Sequence, residues 1–204
     1  FTENTHYGGL DNFLISLINH WPNSSDEICL ICNQKHPGLP FIRKRLKREC
    51  KISCHSFLLD WEVLSKFEMN FFMKLVRRVI GFFVRYPFFI YYVYRFYFLF
   101  KNTNHDRLMV VNGGYPAGNS NRAASIAWGL SGKSKSIHNF HNIAVKSSLL
   151  TVWIENLIDY FVHHYTKKFI STSEYCSKTI RVRPIFINSK KISFIYNGTD
   201  KSFT

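Results

Sequence analysis

Two histidines, His138 and His141 in the run KSIHNFHN, are the side chains best placed by type for proton chemistry. Imidazole is the side chain that titrates nearest neutral pH. Lys135 to Asn142 reads as a strand, where residues three apart point to opposite faces. The pair therefore does not form a two-histidine metal site. His141 falls at the carboxyl end, where ligands approach a parallel sheet, with the short polar Asn142 after it. His138 reads as structural.

The second chemical candidate is sulfur. Cys29 and Cys32, then Cys50 and Cys54, give C-x2-C and C-x3-C separated by seventeen residues. Four-thiolate zinc sites have this kind of spacing, but their pairs sit in turns so that both sulfurs converge. Leu30 and Ile31 instead place the first pair inside EICLIC, Glu27 to Cys32, a buried-strand candidate. Core thiols are the favoured reading.

The third candidate is backbone. Gly8-Gly9 opens an apolar-periodic run, Leu10, Phe13, Leu14, Leu17 and Ile18, that predicts a helix ending near Trp21-Pro22. Glycines at a helix start let N–H groups approach an anion, with help from the helix dipole. A plain tight turn is the alternative.

These groups need a scaffold, and the clearest piece of it is Lys167 to Asp200. Phe169-Ile170 forms a short apolar run, Ser173 is an N-cap, and Glu174 to Val182 continues as a helix. Lys191 to Tyr196 is β-branched and aromatic and ends at Asn197-Gly198, a turn pair. Strand, helix, strand is the βαβ unit of a parallel sheet. Its strand ends, Ser173 and Asn197-Gly198, face the ligand crevice. Arg107 to Val111 predicts another strand, ending in Asn112-Gly113-Gly114, with a helix from Asn119 or Ser120 to about Leu130. GGYPAGNS lacks the Gly-Lys-Ser/Thr end of a nucleotide phosphate loop and reads as a crevice loop. Thr151 to Tyr165 is helical by its apolar spacing. The basic residues between Phe41 and Lys51 read as a solvated helix face, and a short strand follows over Lys51 to Cys54.

The chain has 204 residues, 46% of them hydrophobic, a formal charge of +14 and a pI near 9.7. That is enough for one full core. The charge points to an anionic partner: a membrane surface, nucleic acid or a phosphorylated substrate. Five cysteines without a signal peptide favour a reducing, cytoplasmic setting. Lys66 to Phe100 packs most of the aromatics between Arg77, Arg78, Arg85 and Arg95. No charge-free run reaches the roughly 20 residues of a membrane span. Pro87 is expected to break this segment in two, and its surface to lie in the bilayer interface, with a buried aromatic core as the alternative.

The Gly-Gly loop, the strand ending in Phe140-His141-Asn142, the Ser173 turn and the closing Asn197-Gly198-Thr199-Asp200 occur in an order that resembles the N-terminal half of family-4 glycosyltransferases of the GT-B fold. The resemblance implies a Rossmann-like α/β domain over 1–200 whose first strand is missing, a helical insertion at 66–100, and a linker opening at 201–204. It implies a retaining glycosyltransferase that moves a sugar from a nucleotide-sugar to a lipid-linked or glycan acceptor, without a metal cofactor. The donor would be held mainly by a second half beyond Asp200, so this half alone would be inactive. By the same resemblance His141 lies beside the reacting sugar, and Gly8, Gly9, Asp11, Asn142, Ser173, Asn197 and Gly198 border the substrates. A nucleic-acid module is the first alternative; it lacks a recognised binding motif. A zinc-stabilised adaptor is the second.

Overall fold

The computed structural model describes residues 1–56, 71–116 and 118–198, without the side chains of 71–80 and 82. In chain order the elements are α1 (Gly9–Asn19), β1 (Cys29–Asn33), α2 (Leu39–Arg45), β2 (Lys51–His55) and α3 (Phe71–Lys101). Then follow β3 (Met109–Asn112), α4 (Asn119–Leu130), β4 (Ser136–Phe140), α5 (Val152–Tyr165), β5 (Thr166–Ser171), α6 (Glu174–Thr179), two 3-10 turns and β6 (Ile192–Phe194). This is the expected α/β class, with parallel strands flanked by helices.

All pairings between these strands are parallel: β1 with β2, and β3-β4-β5-β6 in sequence order. Residues Phe1 and Thr2 join the two groups. The Phe1 amino group donates to Met109 O at 2.9 Å, and Val111 N–H donates to Phe1 O at 2.8 Å. On the other side Thr2 N–H donates to Ile31 O at 2.9 Å. The chain start thus occupies a strand position between β1 and β3. Strand order runs outward from that position in both directions, which makes it the topological switch point of a doubly wound sheet.

Period-two alternation separates two cores. Val110 and Ile31 turn to one face, with Phe140, Phe169 and the aromatics of α3. Val111, Leu30 and Cys32 turn to the other, with Leu14 and Ile15 of α1 and Leu39 and Ile42 of α2. Successive side chains of a strand point to opposite faces, so one strand anchors both layers. On the larger face α4 is buried from Asn119 to Trp128, between the sheet, α3 and α5. Its alanines admit close packing, and a Cβ at Gly129 would come within 2.0 Å of the Tyr165 ring.

Pro87 does not break the aromatic segment. Helix α3 runs through it, and the part of the segment before Phe71 lies outside the described residues. A proline removes one helical N–H and crowds the preceding turn, a cost of about 3 kcal/mol. Phe89, Tyr92, Phe96 and Phe100, at i, i+3, i+7 and i+11, are buried together and hold the helix against α4. Burying four aromatics outweighs that cost. Pro87 itself is exposed. Arg85 and Arg95 turn to protein: Arg85 lies 3.4 Å from Glu155, and Arg95 donates to Ser56 O at 2.9 Å. Among the described residues no helix is long and apolar enough to cross a membrane.

The βαβ unit forms as read, with Ser173 Oγ accepting from Cys176 N–H as the N-cap of α6. The expected helix to Val182 tightens into a 3-10 turn at Ile180. Strand β6 stops at Phe194, and residues 195–198 adopt no regular structure. Thr199 and Asp200 of the expected turn, and the linker at 201–204, lie outside the described residues.

Beneath the larger face sits a buried ionic cluster. Glu155 Oε2 is 2.7 Å from both Arg122 Nη1 and Arg183 Nη2. Asp159 accepts from Arg183 Nε at 2.5 Å and from the Tyr115 hydroxyl at 2.7 Å. Burial alone would raise the Glu155 carboxyl, but Arg122, Arg85 and Arg183 outweigh it and bring it down to about 2. A carboxyl depressed from 4.5 stabilises the fold above about pH 4.5, and that contribution is lost as pH falls through about 2. Urea denaturation should therefore show stability falling across that window. Glu155→Ala should cost about 3–5 kcal/mol at pH 7, because it leaves two buried guanidinium groups sharing the single carboxylate of Asp159.

Candidate functional site

The switch point opens into a crevice of about 120 Å³ at the carboxyl ends of the strands. Thr2, Glu3, Asn4 and Thr5 form one wall, and Asn112 and Gly113 at the end of β3 form the other. Asn121 of α4 also lines it. Asn121 is 1% exposed, and its Oδ1 has no hydrogen-bond partner among the described residues. Among the described residues no lysine or arginine lines the crevice. The amino end of α4 is occupied by Glu3, which accepts from Ser120 N–H at 3.1 Å and from the Ser120 hydroxyl. Gly118 leaves the space for this, since a Cβ there would overlap the Glu3 carboxylate. The helix dipole is satisfied from within. That agrees with reading GGYPAGNS as a crevice loop. What remains is a set of hydroxyls, carboxamides and one carboxylate beside the apolar side chain of Leu10, suited to hydrogen-bonding a neutral ligand that has both polar and apolar faces.

Gly8 and Gly9 lie at the start of α1, beside this crevice in the chain. Neither has an atom within 4 Å of where a Cβ would stand, so the space before them is open. The φ of Gly8, 175°, is ordinary extended backbone, so clearance and not conformation is what glycine supplies here. Asp11, expected to border the substrates, is fully buried. Its carboxylate accepts from Gly8 N–H at 2.8 Å, Asn4 Nδ2 at 3.0 Å and His36 Nε2 at 2.8 Å. Asp11 therefore fixes the loop from behind.

His141 follows the last residue of β4, and its N–H donates to Asn112 O at 3.1 Å. The ring packs edge-on against Phe13 of α1, centroids 4.3 Å apart. Nε2 is buried without a partner among the described residues. Burial lowers the imidazole to about 4, so it is neutral at pH 7. His138 is fully buried, 3.3 Å from Asn112 Nδ2 and 3.4 Å from Ser125 Oγ, and stacked on Phe169. Burial takes it to about 3, and its role is structural as read. Asn142 is exposed, and Gly114 makes room for the segment: a Cβ there would sit 3.1 Å from Ile143 O.

The strand-end turn at Ser173 supports this wall from the next strand. The Thr172 hydroxyl donates to His141 O at 3.2 Å, and Ser173 Oγ is spent on its cap. Asn197 and Gly198 are exposed and follow β6, farther along the sheet from the switch point. The structure thus puts His141 and Asn142 just after β4 and Gly8 and Gly9 at the start of α1, whose Phe13 touches the His141 ring, while the Asp11 carboxylate and Ser173 Oγ are taken up by hydrogen bonds within the protein. Sequence reading missed Glu3 and Asn121, because it had no strand to place before Gly8.

The cysteines do not converge as a set. Cys32 and Cys54 face each other across β1 and β2 with sulfurs 3.9 Å apart. Among the described residues no three His, Cys, Asp or Glu side chains are grouped to hold a metal. A wider hollow of about 440 Å³ lies beside Arg43 and Arg48, away from the strand ends. There Arg48 is committed to the carbonyls of Trp21, Asn23, Ser24 and Asp26.

No family model, curated protein or solved structure matches the chain. The loop assignment has a direct check. Asp11→Ala removes the acceptor of three donors, and should lower stability by about 3 kcal/mol. It should also speed hydrogen exchange at the Gly8 amide by more than the global loss explains. Unchanged protection at Gly8 would remove Asp11 from this role.

Proposed function

We propose that the chain is the acceptor-side half of a retaining glycosyltransferase, with the acceptor presented at the cytoplasmic face of a membrane. The observation that carries this reading is the crevice at the switch point. Among the described residues its lining offers hydroxyls, carboxamides and one carboxylate beside Leu10, with no lysine or arginine, and the carbonyl of its wall residue Asn112 accepts from the backbone N–H of His141 at the end of the next strand. Carboxamides and hydroxyls suit sugar hydroxyls, while a nucleoside diphosphate needs cations or free helix amides. The donor's diphosphate would thus be held mainly by a separate donor-binding half, with Gly8 and Gly9 leaving clearance beside it. In the transfer, the acceptor oxygen bonds to the anomeric carbon, the diphosphate leaves with the bonding pair, and the acceptor proton is released. His141, uncharged at pH 7 and with Nε2 unpartnered among the described residues, would be the hydrogen-bonding partner beside the reacting sugar. Asp11, Thr172 and Ser173 hold the loops around it.

Two measurements test this. In an NMR titration of the chain, simple glycosides should shift the amides of Asn112, Gly113 and His141. A nucleotide-sugar should bind only weakly and produce no transfer. Tight nucleotide-sugar binding by the chain alone would contradict the division of labour. In an active enzyme containing this half, His141→Ala should lower kcat/KM at least tenfold, about 1.4 kcal/mol. His138→Ala should act through stability alone. Equal kinetic losses from both, with folding intact, would remove His141 from the site.

A further inference from the structure

The loop that leaves His141 is apolar on its exposed side. Ile143 and Val145 are more than half exposed, and Leu149 and Leu150 are 84% and 82% exposed. The exposure continues onto α5 through Trp153 at 66%, then Leu157 and Tyr160. These fall on one helical face, because they recur at intervals of three and four residues. The inward face of α5 carries Ile158 and Val162, and with them both of its acids, Glu155 and Asp159. Arginines take up both carboxylates inside the protein. The outward face is left apolar and without an acidic residue.

Helix α3 repeats the arrangement. It contains no acidic residue, its buried stripe faces α4, and Phe83, Ile90, Tyr94 and Phe98 form an exposed stripe on the other side. The two helices meet where Arg85 and the Tyr86 hydroxyl reach Glu155, each at 3.4 Å. Both helices follow a strand's carboxyl end and lead back to the start of the next strand. The amino end of α5 therefore lies on the rim that carries the crevice, and the contacts of Arg85 and Tyr86 with Glu155 bring the middle of α3 beside it.

We propose that this rim, Leu149, Leu150 and Trp153 with Phe83 of α3, docks on an anionic lipid bilayer. The mouth beside His141 would then open onto the headgroup layer. Exposed apolar patches of this kind mark interaction surfaces. Aromatics backed by net positive charge suit the headgroup boundary, whereas a second copy at +14 would be repelled. The contact is apolar first. Arg85, one of the expected headgroup contacts, is committed to Glu155, so charge acts at longer range. This deepens the transferase reading by making the acceptor lipid-linked, but its test uses neither sugar nor donor.

Co-sedimentation of the chain with vesicles of phosphatidylglycerol and phosphatidylcholine decides it. The chain should bind the mixed vesicles, more weakly at high salt but not vanishingly so. Leu149→Ser/Leu150→Ser/Trp153→Ser should bind at least tenfold less with an unchanged melting temperature. Leu130→Ser, an exposed apolar residue at the far end of α4, should bind as the parent does. Brominated lipid should quench Trp153 fluorescence in the parent. Parent chain that ignores the vesicles, or a triple variant that binds equally well, would overturn the proposal. So would a dimer in lipid-free solution that the triple variant dissociates, since the rim would then cover a second copy. Glycosides that leave the amides of Asn112, Gly113 and His141 unshifted, with vesicle binding intact, would instead count against the enzymatic reading alone.

Discussion

Four charged side chains with almost no access to water hold the larger layer of this molecule in register. Arg122, Glu155, Asp159 and Arg183 come from α4, α5 and the turn after α6, and Tyr115 joins from the loop beyond β3. Arg183 also donates to Val145 O at 3.1 Å, which ties down the segment leaving His141. Burying such groups is costly, and a fully paired cluster is roughly neutral beside a hydrophobic one. What it adds is direction. An apolar layer of Ala, Phe and Ile tolerates sliding, whereas two guanidinium forks on two carboxylates accept one alignment. The helices that frame the rim and the loop that carries the histidine are set by the same contacts.

The same cluster explains the uneven surface of the protein. α5 has two acids, and both are turned inward to arginines. Solvation of its outer face is then left to His164 and the tyrosine hydroxyl. The charge of the chain is basic in sum, but the cations near α3 and α5 include several already engaged by protein. Composition alone reported +14 and could not say which charges were free.

The α/β class, the βαβ unit, the N-cap at Ser173 and the place of His141 were legible because each rests on local signals: period-two runs, capping chemistry and strand ends. The exposed role assigned to Asp11 was not. A carboxylate two residues after a glycine pair looks alike from the sequence whether it faces a ligand or its own loop. The partner that decides, His36, is 25 residues away. Pro87 misled for a related reason. Its effect on a helix is local, but the four aromatics that override it act across to α4. The crevice itself was hidden because one wall belongs to Phe1–Thr5, where the sequence offers no periodicity.

Glu3 sits in the amide nest at the head of α4, and Phe1 and Thr2 are stitched to strands on both sides. That wall is anchored at one end by a sheet and at the other by a helix. A ligand entering would have little chain to order, so little of its contact energy would be spent on ordering the protein. Selectivity would turn on Asn121 Oδ1, a buried acceptor of the lining that has no partner among the described residues. On the proposed transferase reading, a sugar hydroxyl directed at it would complete the hydrogen bond. An epimer with that hydroxyl reversed leaves a buried carboxamide oxygen dry and unpaired, at about 1–3 kcal/mol. A stiff wall cannot bend to excuse the mismatch, so the molecule would read stereochemistry at a single carbon.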